Sequence, residues 1–163
     1  FIRAVNNAED DSQFRVLTSG EVRSDVGFNT PAADFAEMLP AVSGLEAGDV
    51  LAIGTEGRLV RSSAAFAANV AGVYSTAPGF VGGHPVEGEV PGDKVPLAMV
   101  GIVPVKVSAE NGPIAPGDLL VAAATPGHAM RAGSNAPNGT VLGKALEPHA
   151  AGLGRIRMLL VLQ

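Results

Sequence analysis

Leu45-Glu46-Ala47-Gly48-Asp49-Val50-Leu51-Ala52-Ile53 is echoed by Ile114-Ala115-Pro116-Gly117-Asp118-Leu119-Leu120-Val121. Each is a Gly-Asp turn opening into a short apolar run. Glycine permits positive φ, and aspartate bonds its own backbone as the chain enters a strand. Two further blocks keep the spacing. Gly57-Arg58-Leu59-Val60-Arg61 matches Gly127-His128-Ala129-Met130-Arg131, and Val70-Ala71-Gly72-Val73 matches Val141-Leu142-Gly143-Lys144, all at offsets of 69 to 71 residues. Three blocks in register point to a duplicated β-unit, about 45–76 and 114–146, within one pseudo-symmetric domain spanning 41–163. The period is too long and the copies too few for a solenoid.

The flanking segments fit a mainly β chain. Gly54-Thr55-Glu56-Gly57 and Thr125-Pro126-Gly127 read as hairpin turns. Pro78-Gly79-Phe80-Val81-Gly82-Gly83-His84-Pro85 reads as a loop by composition. Residues 95–107 are apolar enough for a buried strand, with Pro96 and Pro104 limiting where it pairs. Residues 155–162 form a closing strand, expected to be buried on both faces over its second half.

Of the 163 residues 47% are apolar and 17% charged, with six Phe, one Tyr and no Trp. That is a packed protein whose core is Val, Leu, Ile and Ala. So little charge also fits an all-β domain that hides surface in a homo-oligomer. A net charge of −5, with no basic stripe, argues against a nucleic-acid partner. No cysteine means no disulfide, thiolate metal site or cysteine nucleophile. No apolar run approaches the roughly 18–20 residues of a helical membrane span. The chain opens at Phe1 and reads as a C-terminal fragment or processed product of a longer protein.

Residues 1–30 read as the end of a β-rich stalk. Phe14-Arg15-Val16-Leu17 precedes a Thr18-Ser19-Gly20 turn, and residues 21–26 alternate like a half-buried strand. Such a short segment cannot bury a core of its own. Residues 31–40 are a junction with two open readings. Thr30 and Pro31 suit a helix start, with Phe35, Met38 and Leu39 on one face and Pro40 as the stop. An extended segment fits equally.

Chemistry-bearing candidates are few. His84, His128 and His149 lie far apart in turns, so no metal-ligand spacing exists. No serine sits in a nucleophile elbow, and nothing singles out Lys94, Lys106 or Lys144 as a serine's partner. There is no phosphate loop or dinucleotide fingerprint, and no cofactor is expected. Asp34 and Glu37 remain, an acidic pair among Ala32, Ala33, Phe35 and Ala36. Two neighbouring carboxylates can act as acid and base in metal-free acyl hydrolysis. They are also simply what the solvated face of a junction carries, and the residues alone leave both readings open.

Pro31-Ala32-Ala33-Asp34-Phe35-Ala36-Glu37-Met38 resembles the Gly/Ser-Asp-Tyr-Ala-Glu junction of the intramolecular-chaperone autoproteolytic domains, of glutamic-peptidase type, known from phage pre-neck appendage and tail-spike proteins. The blocks at 48–50, 57–61 and 70–79 follow in the family's order. The resemblance covers about residues 30–85. It implies a C-terminal module of a trimeric β-fibre that promotes trimer folding and then cuts itself free. The bond cut would be Ala33–Asp34, with Asp34 and Glu37 as the catalytic pair of a single-turnover peptidase. The likeness departs at Ala33, where the family motif has Ser. The partners implied are two further copies and the N-terminal fibre region of the parent chain, on a virion tail or bacterial surface. Two alternatives stand beside it. One is a non-catalytic structural cap of a trimeric fibre. The other is a carbohydrate- or surface-binding tip, which has only Phe66, Tyr74 and Phe80 to present.

Overall fold

The computed structural model describes residues 3–5, 12–24, 30–83 and 93–161. The chain divides into two compact units, residues 1–31 and 32–163. The first holds an antiparallel three-stranded sheet ordered β1 (Arg3–Val5), β2 (Ser12–Val16), β3 (Val22–Ser24). The β2–β3 turn closes where Leu17 N–H donates to Glu21 O at 2.8 Å and Gly20, at φ +85°, donates to Leu17 O. Val22 remains 47% exposed, because three short strands have no second layer to bury it against. Residues 25–29, including the end of the alternating segment, lie outside the described residues.

In the second unit each Gly-Asp turn does the same local work. Gly48 and Gly117 both take φ +91°. Asp49 Oδ2 accepts the N–H of Glu46 at 2.9 Å, and Asp118 Oδ2 accepts that of Ala115 at 2.8 Å. The strands that follow are β5 (Val50–Ile53) and β10 (Leu119–Ala122). Each pairs antiparallel with a short strand after a tight turn: β6 (Leu59–Arg61), matching Leu51 to Arg61, and β11 (Ala129–Arg131), matching Leu120 to Arg131. Each also pairs with a third strand through a glycine. In β7 (Val70–Tyr74) Gly72 opposes Leu51; in β12 (Val141–Ala145) Gly143 opposes Leu120. The register shifts just after Leu51 and just after Leu120. The main-chain bonds Gly48 N–H to Tyr74 O and Gly117 N–H to Ala145 O are equivalent as well.

Two long strands join the copies. β9 (Lys94–Ser108) is the spine, and β13 (Leu153–Val161) runs antiparallel to it from Leu153 opposite Ser108 to Val161 opposite Val100. The order β11-β10-β12-β13-β9, closed by a parallel β11–β9 contact at Ala129 and Val107, makes a five-stranded barrel. Val103, Val105, Val107, Leu120, Leu142, Ile156, Met158 and Leu160 belong to one buried cluster. Each fully buried aliphatic side chain contributes about 1.5–3 kcal/mol.

The junction is extended, not helical. β4 (Asp34–Pro40) runs antiparallel along β9, from Asp34 opposite Gly101 to Pro40 opposite Lys94. Helical spacing in ten residues loses to a partner strand supplied from sixty residues away. The Gly/Pro-rich loop also holds a strand, β8 (Phe80–Gly82), parallel to β4 with Phe80 opposite Phe35. His84 and Pro85 lie outside the described residues. Burial of the closing strand on both faces is overturned: β13 alternates to its end, leaving Leu153, Leu159 and Val161 exposed. Ile102 and Val100, opposite Leu159 and Val161, are exposed too. Directly opposed residues share a face, so Phe80, Phe35, Val100 and Val161 form an exposed apolar row across four strands.

Candidate functional site

β4 fixes where the two candidate carboxylates point. Side chains alternate along a strand, so residues three apart lie on opposite faces, about 10 Å apart along the chain. Asp34 faces inward, 4% exposed, beside buried Ala36. Glu37 is on the other face with Phe35, and its carboxylate lies over β8, where a Cβ on Gly82 would come 2.9 Å from Oε2. The chain by itself does not bring Asp34 and Glu37 together.

It does surround the peptide bond between Ala33 and Asp34. The Ala33 carbonyl accepts the main-chain N–H of Ile102 at 3.1 Å, and the Asp34 carbonyl accepts that of Gly79 at 2.8 Å. Opposite stands Gly101, at φ +122°. A Cβ there would fall 2.2 Å from the Ala33 oxygen and 2.7 Å from Asp34 Cα, so only glycine allows the backbones to meet. Asp34 Oδ2 is buried and has no hydrogen-bond partner among the described residues. A buried polar oxygen left unpaired is costly, and each such group calls for an explanation such as a reactive role. The arrangement offers a held and polarised carbonyl beside a desolvated carboxylate. Gly101 and Ile102 carry no motif in the sequence, where their one signal is a glycine inside the run Met99-Val100-Gly101-Ile102.

The other candidates are structural. His128 Nδ1 sits 2.8 Å from Pro126 O and His149 Nε2 3.1 Å from Gly152 O, each within its own turn. Among the described residues no group of three His, Cys, Asp or Glu could hold a metal ion. Asp49, 1% exposed, takes Lys106 Nζ on Oδ1 and Arg61 Nε on Oδ2, both at 2.8 Å. Burial alone would raise its pKa. The bonds from Lys106, the Glu46 N–H and Arg61 more than offset that and hold it below the usual aspartate value. Phe35 and Phe80, 59% and 62% exposed, lie with ring centroids 5.7 Å apart.

No protein-family model matches the chain, and no curated protein matches it. Among solved structures the chain is similar to the crystal structure of pre-mature bacteriophage phi29 gene product 12, with a TM-score of 0.65 and 15% identity. The match covers 93% of this chain and 25% of that one, so the chain spans a quarter of that protein's length. Across so low an identity the likeness is one of fold: the mainly β architecture is shared nearly from end to end.

Proposed function

We propose that this chain is the C-terminal assembly module of a trimeric fibre or spike protein, and that it cuts itself between Ala33 and Asp34 after assembly. The observation that carries this reading is the end-to-end fold likeness to a quarter of a phage protein described as pre-mature. The surroundings of the Ala33–Asp34 bond support the chemistry. An Asp34 side-chain oxygen reaches the preceding carbonyl carbon through a six-membered ring. Attack forms an O–C bond and places charge on the Ala33 oxygen. Collapse breaks the C–N bond, the Asp34 nitrogen takes a proton from water and leaves as the amine, and an anhydride joins the Ala33 carbonyl to the Asp34 carboxyl. Water then hydrolyses the anhydride to two carboxyl groups. Because Glu37 is on the other face of β4, any part it takes is as an outer-face acid or base, through water or toward a neighbouring copy. The exposed apolar row supports assembly, since a second copy would remove it from water.

Intact mass under denaturing conditions tests this. The expected result is conversion of the assembled chain to pieces of 33 and 130 residues. Asp34→Asn should keep assembly and abolish the cut. Glu37→Gln decides whether the outer-face carboxylate matters. The second reading, a non-catalytic cap of a trimeric fibre, is favoured by the opposite facing of Asp34 and Glu37 within one chain. A trimer that stays a single mass through long incubation would establish it over the first.

A further inference from the structure

Resting on that reading, we infer that β9 supplies the electrophilic half of the site. The main-chain N–H of Ile102 takes up the charge that develops on the Ala33 oxygen, and Gly101 is the positioning residue that lets this donor approach. Ile102 N already lies 3.1 Å from that oxygen before any reaction. Backbones approach as closely at Gly72 and Gly143, but here the carbonyl that is met belongs to the residue before Asp34, whose Oδ2 is buried and unbonded among the described residues. Gly101 takes a φ of +122°, and any Cβ would overlap the Ala33 oxygen at 2.2 Å. Backbone therefore meets backbone at the bond to be cut. Gly79 N–H on the Asp34 carbonyl holds the far side, so the peptide is pinned at both of its neighbouring oxygens. The carbonyl is thus engaged by a donor, while Asp34 Oδ2 is buried and engaged by none among the described residues. That is the polarity attack requires: an electrophile already polarised and a side-chain oxygen that no described donor holds. As the Ala33 carbon becomes tetrahedral its oxygen gains a full charge, and a fixed N–H stabilises that charge more than the ground-state carbonyl. The donor belongs to the main chain, so no side-chain pattern announces it.

The experiment replaces Ile102 in the full chain by its α-hydroxy acid, which keeps the side chain and removes the N–H. The same replacement at Ile53, whose N–H donates to Asn69 O at 2.8 Å in β5, is the control. Cutting is followed by intact mass and assembly by light scattering. The ester variant is expected to assemble as the wild type does and to cut on the order of a hundredfold more slowly. The Ile53 ester should cut at the wild-type rate. Gly101→Ala should also be slow; if it fails to assemble, the ester variant decides. A wild-type chain that cuts and an ester variant that cuts equally fast would overturn the role of β9 and leave the self-cleavage reading standing. A wild-type trimer that never cuts would overturn that reading, and this inference with it.

Discussion

In the first copy of the duplicated unit, Asp49 is 1% exposed and gathers Lys106, Arg61 and the Glu46 N–H. In the second, half-buried Asp118 accepts the Ala115 N–H and no other donor among the described residues. Arg131, which takes the place of Arg61, leaves its Nε buried and unbonded among those residues. Yet the ladders, the glycines and the register shifts coincide. Backbone geometry and charge have been separated: the Gly-Asp turn and the third-strand glycine suffice to build the unit. The ion network grew only where the spine passes the turn, with Lys106 N–H donating to Gly48 O. The network is an addition to the fold of one copy, not a requirement of the unit.

The largest expected effect would break both copies alike. A Cβ on Gly143 would stand 2.0 Å from Leu159 O, and one on Gly72 would stand 2.5 Å from Ala98 O. Each alanine substitution should cost at least about 3 kcal/mol or prevent folding, because backbone must shift in a closed barrel or its neighbouring strand. Urea denaturation of both variants measures this; a tolerated substitution in one copy would end the equivalence of the two glycines.

A smaller effect should separate the copies. Asp49→Ala leaves Lys106, 18% exposed, and Arg61 without their buried partner and should cost about 3 kcal/mol. Asp118→Ala removes one turn bond and should cost about 1 kcal/mol. Equal losses would mean that the network contributes nothing beyond the turn.

The smallest effect concerns acid. Asp49 is held below its ordinary pKa in the folded chain, so its contribution is complete above the unfolded value and is lost as pH falls through the folded one. Stability should therefore drop below about pH 4, and the drop should be shallower in Asp49→Asn. Melting curves at a series of pH values give the comparison, and an identical acid slope in the variant would show that another carboxylate sets it.

What could be read in the sequence was local. Gly48, Asp49, Gly117 and Asp118 announce their turns, and the apolar runs behind them announce strands. What could not be read depends on partners distant along the chain. Residues 34–40 carry helical spacing and become a strand because β9 lies beside them. Phe80 and Val81 look like loop among glycines and become a strand because Phe35 and Ala36 present an edge. Lys106 finds Asp49 across 57 positions, and no spacing rule reaches that far. At the candidate site, Asp34 stood out by its chemistry. The residues that hold its peptide bond, Gly101 and Ile102, are an apolar pair in a run that looked like core. The outward row on β13 is hard to read for a related reason: Leu159 and Val161 carry the composition of a buried strand and the alternation of a half-buried one.

That row of Phe80, Phe35, Val100 and Val161 has a thermal consequence. Association that covers it takes hydrocarbon out of water and carries a negative change in heat capacity. Contacts of this kind weaken on cooling. The proposed assembly, where it buries this face, should therefore be cold-labile: tighter in the warm, with chilled solutions shifting toward single chains.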